Sequence, residues 1–271
     1  PAGFYYKTFM WPPSFWYKIY EPFIRMAAGF GEASIKHDKE RYEHKYEYCD
    51  LLITGSGPSG LASAYAAAKN GARVILAEDK PRFGGSLLTS DVNIGNQTGV
   101  EWTEKIIAEL KSMPNVTVKN RSQVFGYYDH NMLVMSERIS DHLPKTQKYL
   151  PKQRLWYIRA NEVLISSGSI ERPLVFGNND TPGVMLSSAA KEYMKVYGVL
   201  VGKKPLIFTN NDSGYETAIE FKKNGVNPII LDTRSNPSSD IITEAKNLNI
   251  EIKFSYVVVA AKGYKKVKSA D

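Results

Sequence analysis

Cysteine is nearly absent from this 271-residue chain, in which Cys49 is the only one. A single thiol excludes an intrachain disulfide framework, a cysteine-ligated iron–sulfur cluster and a Cys-x-x-Cys redox pair. Histidine is also scarce, and its four scattered residues leave little for a structural zinc site. We therefore predict no metal site.

Long apolar runs and a secretory signal are missing too. No apolar run reaches the ~18 residues that a membrane-spanning helix needs. No basic segment precedes an apolar one at the N-terminus. We expect a cytoplasmic protein without a membrane partner. Because residue 1 is proline and the last residues are rich in lysine, we also expect the chain to be a piece of a longer one.

The composition that remains is globular, with an excess of basic residues. Hydrophobic residues make up 43% of the chain and charged residues 23%, which excludes a wholly disordered protein. The formal net charge is +7, but lysines and arginines alternate with acids, as in residues 36–41. This pattern is typical of a solvated surface and argues against nucleic acid as a partner. The alternative is steering of an anionic ligand or an acidic partner.

Composition divides the chain into three predicted parts, residues 1–45, 46–200 and 201–271. The first part is crowded with aromatic residues and cannot form a core alone. We expect an extended aromatic N-terminal arm that packs across another domain or subunit, or over this chain's own core. Residues 31–45 are polar and typical of a linker or a short helix. The aromatic residues of the arm are Phe4, Tyr5, Tyr6, Phe9, Trp11, Phe15, Trp16, Tyr17, Tyr20 and Phe23.

The second part opens with a strand–helix–strand pattern. Residues 50–54 and 72–78 are apolar runs, and the alanine-rich residues 58–70 between them have helical spacing. This pattern is a βαβ unit with parallel strands. We predict an α/β fold: a Rossmann-like parallel sheet in three-layer ββα topology, plus a second, smaller nucleotide-type βαβ domain. The other predicted elements are a helix at 99–113, strands at 116–119, 123–128, 132–135, 154–159 and 162–168, and a second βαβ series with strands at 205–209, 228–232, 251–254 and 256–261 and helices at 213–224 and 239–248.

Residues 55–60 read Gly-Ser-Gly-Pro-Ser-Gly and lie between the first predicted strand and its helix. In a dinucleotide fingerprint Gly55 permits the tight turn, Gly57 lets the backbone approach a pyrophosphate, and Gly60 lets the helix pack on the strand. Free N–H groups of the helix N-terminus then face the phosphates. The alternative is a glycine turn that binds nothing.

Glu78 ends the second predicted strand, where it is placed to accept hydrogen bonds from a ribose diol. A carboxylate at this position repels a 2′-phosphate, so the sequence favours NAD or FAD over NADP. Lys80 and Arg82 follow and could soften that preference.

Two further segments resemble the superfamily of flavoproteins with two dinucleotide-binding domains. The pair Gly84-Gly85 resembles the loop that this superfamily brings against the pyrophosphate. Residues 165–169, followed by 172–173 and 181–183, resemble its strand–glycine motif between the two nucleotide folds. The resemblance implies an FAD/NAD(P)-binding topology. For the glycine pair alone, the alternative is a surface turn.

The second βαβ pattern departs from the fingerprint. Asn210 and Asn211 stand where close approach of a phosphate needs bare backbone. Asp212 suits a helix N-cap and repels an anionic ligand, although Gly214 remains. We predict that this half does not bind a dinucleotide in the usual way, and that Asp232, at the ribose-acid position, is a relic or a strand-end cap.

The chain as a whole resembles the α subunits of heterotetrameric sarcosine oxidases. The resemblance covers essentially all 271 residues. Its more specific parts are the aromatic residues 4–12, residues 21–31, and the Thr-Asn-Asn-Asp turn at 209–212. In that family a ubiquitin-like domain precedes this region and a folate-binding domain follows it.

The resemblance implies an oxidoreductase complex that demethylates sarcosine to glycine, releases hydrogen peroxide and passes the one-carbon unit to tetrahydrofolate. It implies NAD in this region, FAD and FMN on or at a flavin-carrying β subunit, and further small subunits. No catalytic residue transfers to this chain, which we expect to be inactive alone. The predicted cofactor-binding residues are Gly55, Gly57, Pro58, Ser59, Gly60, Glu78, Asp79, Lys80, Arg82, Gly84, Gly85, Ser86, Val124, Ser167 and Gly168.

Two alternatives stay open at this point. One is an FAD-dependent oxidoreductase subunit of an amine or amino-acid dehydrogenase, because both glycine motifs and Glu78 would serve FAD equally well. The other is an assembly module in which the nucleotide is only structural and the aromatic arm docks partners.

Overall fold

The computed structural model describes residues 11–29, 31, 33–144 and 149–271. The chain forms two compact units, Pro1–Glu40 and Arg41–Asp271. Within the described residues, no helix is long and apolar enough to cross a membrane.

The described part of the first unit is largely helical. A 3₁₀ turn at Pro13–Phe15 leads into a π-helical turn at Trp16–Tyr20 and then into α1, Glu21–Ala27. None of the residues in these helices is buried. Phe4, Tyr5, Tyr6 and Phe9, which belong to the predicted arm, lie outside the described residues.

The second unit contains thirteen strands and five helices in its described residues. They are β1 (Tyr42–Thr54), α2 (Pro58–Lys69), β2 (Val74–Ala77), β3 (Asn93–Ile94), β4 (Gln97–Thr98), α3 (Gly99–Ser112), β5 (Val116–Lys119), β6 (Ser122–Tyr128), β7 (Met132–Arg138), β8 (Gln153–Ile165), α4 (Ser187–Tyr197), β9 (Leu206–Thr209), α5 (Ser213–Lys223), β10 (Ile229–Asp232), α6 (Asp240–Asn247), β11 (Glu251–Phe254), β12 (Ala261–Gly263) and β13 (Val267–Ala270).

The larger sheet has six strands in the order β5-β2-β1-β8-β7-β6. The strands β5, β2, β1 and β8 are parallel to one another, whereas β8, β7 and β6 run antiparallel. The sheet is curled, as contacts between strands that are not neighbours show: the Lys119 Nζ of β5 lies 4.2 Å from the centre of the Trp156 ring of β8 and 3.4 Å from the Glu137 carboxylate of β7. The antiparallel strands thus form a third layer, and the predicted α/β class is confirmed.

Two apolar clusters hold these layers together. Helices α2 and α3 contribute Leu61 and Leu110 to a core that they share with Ile53 and Leu76 of the sheet. Strand residues alone form the second cluster, whose members include Leu52, Leu133, Met135 and Ile158. Burial on both faces explains why residues 51–53 and β2 are continuous apolar runs, as parallel strands covered on both sides require.

Strand β8 corrects two predictions. The strands predicted at 154–159 and 162–168 are a single strand, Gln153–Ile165, which pairs with β1 from Tyr42 to Thr54. Strand β1 consequently begins inside residues 31–45, the segment predicted as a linker or short helix. The alternation of Tyr42, His44, Tyr46 and Tyr48 with charged residues is the strand pattern of this segment.

The smaller sheet has the order β11-β10-β9, with all three strands parallel. Its core contains Tyr215 and Phe221 of α5 together with Ala190 and Met194 of α4, a helix that the sequence patterns did not predict. The strand predicted at 256–261 is displaced: the structure has β12, Ala261–Gly263, paired antiparallel to β13.

Candidate dinucleotide-binding site

The turn between β1 and α2 requires two of its three glycines. Gly55 has φ +97°, and a Cβ there would lie 2.4 Å from the carbonyl oxygen of Ser166. A Cβ on Gly60 would lie 2.0 Å from the carbonyl oxygen of Gly55. The chain after β8 therefore packs on the turn, and α2 begins as close to the turn as backbone permits.

Gly57 is different, because a Cβ there would meet nothing within 4 Å. It is the N-cap residue of α2, with Pro58 at the first helical position. The first-turn N–H groups of a helix have no intrahelical acceptor, and they carry the positive end of the helix dipole. The backbone at Gly57 thus combines open space with the N–H groups of the first turn of α2, which is the arrangement that a pyrophosphate needs.

The second glycine loop packs directly on the first. Gly84 and Gly85 have φ +122° and +53°, and a Cβ on Gly85 would lie 2.8 Å from the Cα of Gly57. The N–H of Gly84 donates to the carbonyl oxygen of Ser56 at 3.0 Å. Residues 84–85 therefore pack on the backbone of Gly57 and leave the space at its Cβ position open.

Glu78 follows β2 and is buried beside the glycine turn, with 6% of its surface exposed. Its carboxylate accepts hydrogen bonds from the Ser56 N–H at 2.9 Å, the Ser56 hydroxyl at 2.5 Å and the Lys80 N–H at 2.9 Å. Burial, with a contribution from Asp79, raises the pKa of Glu78 above its usual range despite these bonds. These three donors hold the carboxylate of Glu78 in place beside the glycine turn.

The other predicted site residues occupy different surroundings. Ser86 lies in a 3₁₀ turn at Gly85–Leu88, and Ser167 and Gly168 follow β8 in exposed positions, Gly168 with φ +73°. Val124 lies in β6, and its side chain packs against the strand cluster of the core.

Asp79, Lys80 and Arg82 are exposed, and the Lys80 Nζ donates to both carboxylate oxygens of Glu192 in α4, at 2.7 and 2.8 Å. Sequence reasoning missed Glu192, because nothing local to residues 78–86 indicates a partner from a helix more than a hundred residues later.

Asp212 stands at the predicted N-cap position of α5, but its side chain does not cap the helix. The side chain of Asp212 makes no capping hydrogen bond and instead forms an ion pair with Arg234 at 2.9 Å. Asn211 takes the predicted role, since its Oδ1 accepts from the Ser213 N–H at 2.9 Å and from the Ser213 hydroxyl at 2.6 Å. A Cβ on Gly214 would lie 2.8 Å from the Cβ of Thr209, which explains the glycine through packing.

Asp232 lies at the ribose-acid position of this second fold and is completely buried. It accepts hydrogen bonds from the Tyr215 hydroxyl at 2.7 Å and from the Arg234 guanidinium at 2.8 and 3.0 Å. Burial alone would raise the pKa of Asp232, but the hydrogen bonds from Arg234 and Tyr215 outweigh it and hold that pKa below its usual range. The acceptor positions of this carboxylate are filled by the protein.

In the part of the chain that is described, no group of three or more His, Cys, Asp or Glu residues could hold a metal ion.

The fold and the two packed glycine loops define an α/β protein of the FAD/NAD(P)-binding class. Residues 50–138 match the family model described as FAD dependent oxidoreductase. L-proline dehydrogenase from P. horikoshii superposes with a TM-score of 0.58 at 20% identity, covering 88% of this chain and 41% of that one. Thioredoxin reductase from T. acidophilum gives a TM-score of 0.59 at 18% identity, covering 82% and 69%. At these identities the likeness concerns the fold alone.

Within that class, the chain is a homologue of sarcosine oxidase α subunits. It is 44% identical over 271 residues to sarcosine oxidase subunit alpha of Rhizobium meliloti (strain 1021), covering 100% of this chain and 27% of that protein. The same subunit of Corynebacterium sp. (strain P-1) is 35% identical over 233 residues, 85% of this chain and 24% of that protein. The resemblance stated from the sequence is confirmed, and the chain spans about a quarter of the length of these relatives.

Proposed function

We propose that this chain is the nucleotide-binding part of the α subunit of a heterotetrameric sarcosine oxidase, and that it binds one NAD at the two glycine loops. The observation that carries the proposal is the open backbone at Gly57, which packs against the Gly85 loop and stands at the N-terminus of α2. Glu78, held in place by Ser56, supplies a ribose acceptor beside this space. Glu78 also disfavours a 2′-phosphate, which supports NAD over NADP.

In this proposal the complex oxidatively demethylates sarcosine to glycine, releases hydrogen peroxide and transfers the one-carbon unit to tetrahydrofolate. The flavins belong on or at a flavin-carrying β subunit, and small subunits complete the assembly. The residues of this chain bind and orient the dinucleotide, and no nucleophile–base pair among the described residues around the glycine loops suggests chemistry of their own. The 44% identity to a sarcosine oxidase α subunit supports this assignment.

The substitution Gly57→Val tests the binding site. The valine side chain would occupy the open space against which the pyrophosphate lies, so we expect titration calorimetry with NAD to give no measurable binding. Gly202→Val is the matched control, because Gly202 also has open space around its Cβ and lies outside the glycine loops. The unmutated chain and Gly202→Val should each bind one NAD per chain. Undiminished NAD binding by a folded Gly57→Val variant would refute the site.

A second candidate is an FAD-dependent oxidoreductase subunit of an amine or amino-acid dehydrogenase. The match of residues 50–138 to the FAD dependent oxidoreductase model favours it. The absorbance spectrum of the purified chain distinguishes the two. A visible flavin band that Gly57→Val abolishes would support FAD at the glycine loops, whereas a colourless chain that binds added NAD supports the first proposal.

A further inference from the structure

Lys80 is an exposed cation close to Glu78, the proposed ribose acceptor. It lies two residues after Glu78, and its N–H donates to the Glu78 Oε1 at 2.9 Å. Proteins of this class that bind NADP use a basic side chain near the ribose acid to accommodate the 2′-phosphate. In this chain, however, the Lys80 Nζ donates to both carboxylate oxygens of Glu192, at 2.7 and 2.8 Å.

Helix α4 holds Glu192 in place beside Lys80, because neighbouring residues of the helix form ion pairs with other elements. In α4 the neighbouring residue Lys191 is paired with Glu216 of α5, and Lys195 forms ion pairs with Asp91 and Glu220. These pairs tie α4 both to α5 and to the loop that follows Gly85. The position of Glu192 is therefore set by contacts that do not depend on Lys80.

We propose that Glu192 is a specificity-determining residue that makes the dinucleotide site reject NADP. This inference rests on the proposed NAD site and adds to it. Glu192 neutralises Lys80, so the charge of Glu78 stays uncompensated, and Glu192 adds a second carboxylate facing an incoming 2′-phosphate. Lys80 and Glu192 keep 48% and 30% of their side-chain surfaces exposed, so the pair contributes little to folding. Its effect falls on ligand choice.

Titration calorimetry with NAD and NADP on four proteins tests the inference. In Glu192→Gln we expect NADP to bind about five- to tenfold more tightly while NAD affinity stays within about twofold, since one repulsion is lost and one attraction is gained at an exposed site. Adding Lys80→Gln to Glu192→Gln should remove the part of the gain that comes from the freed Lys80 and keep the part that comes from the lost repulsion. Glu251→Gln is the matched control: it breaks an exposed pair, with Lys253 in β11, that has no part in holding α4, and it should change neither affinity.

An unchanged ratio of NADP to NAD affinity in Glu192→Gln would overturn the inference. So would a gain that is undiminished after Lys80→Gln is added, because Lys80 would then contribute nothing to it. If the unmutated chain binds neither dinucleotide, or if Gly57→Val binds both as the unmutated chain does, the proposed site itself fails. The two failures are therefore distinguishable.

Discussion

Replacing Arg234 by methionine should destabilise the smaller sheet through the charge that it leaves behind. The change removes the guanidinium that donates to Asp232 at 2.8 and 3.0 Å and keeps most of the aliphatic stem. Asp232 stays completely buried with only the Tyr215 hydroxyl and the Arg234 N–H as donors. Breaking a buried ion pair costs about 3–5 kcal/mol. We expect about 3 kcal/mol, because two hydrogen bonds to Asp232 remain and the Arg234 side chain is 32% exposed.

The pH dependence of this loss identifies its cause. In the unmutated chain the pKa of Asp232 is depressed, because the hydrogen bonds from Arg234 and Tyr215 outweigh burial. The ion pair therefore stabilises the fold above the ordinary aspartate pKa of about 3.9, and this contribution is lost as the pH falls below that value. Without Arg234, burial raises the pKa of Asp232. The variant's deficit should therefore be largest at neutral pH and shrink as the pH approaches that raised pKa.

Urea unfolding at neutral and mildly acidic pH measures both effects. Asp212→Ala is the control, because it removes the more exposed acidic partner of Arg234 and should cost about 1 kcal/mol or less. Adding Asp232→Asn to Arg234→Met should recover part of the loss by removing the buried charge. The reasoning is wrong if Arg234→Met costs no more than Asp212→Ala, or if its deficit is the same at both pH values.

Two further predictions concern α3 and catalysis. Thr98 and Glu101 form a reciprocal capping box, in which Glu101 N–H donates to Thr98 Oγ1 at 3.2 Å and Thr98 N–H donates to Glu101 Oε2 at 2.8 Å. Thr98→Ala should lower the free energy of unfolding by about 1 kcal/mol in urea denaturation; an equal loss in Thr98→Ser would contradict this explanation. The isolated chain should release no hydrogen peroxide from sarcosine in a peroxidase-coupled assay, and peroxide at the rate of a complete oxidase would show that catalytic residues were overlooked.

Local patterns were sufficient for the elements that carry the candidate site. Local composition reflects burial in three of these elements: the apolar run at residues 51–53, the alanine-rich α2 and the apolar β2. The two strands are apolar because parallel strands are buried on both faces, and α2 has its apolar residues at helical spacing. The glycine positions could be predicted for the same reason. Gly55 and Gly60 are required by contacts within the turn and with the segment after β8, and a fingerprint encodes that requirement as spacing.

What the sequence did not disclose depends on partners far along the chain. Asp212 has the residue type and position of an N-cap, yet Arg234, which lies beyond the next strand, takes its carboxylate and leaves Asn211 to bond the helix start. Similarly, the sequence around Lys80 shows no partner for its charge, whereas in the structure α4 places Glu192 within hydrogen-bond distance. The break expected between residues 159 and 162 followed from local polarity, whereas β1 pairs across that point and keeps β8 continuous.

The pairing of β1 with β8 also constrains the order in which parts of the chain can fold during synthesis. The two strands align Glu43 with Arg154, 111 positions apart, so the central pair of the sheet closes a long loop and is slow to form. Until β8 has been synthesised, one edge of β1 has unpaired backbone groups, and Gly55 lacks the Ser166 carbonyl against which its turn packs. The glycine turn is encoded within six residues but acquires its final support only when the chain has been extended past residue 166. A ribosome-bound fragment ending before β8 should therefore be protease-sensitive at the very turn that is among the most tightly packed in the finished protein.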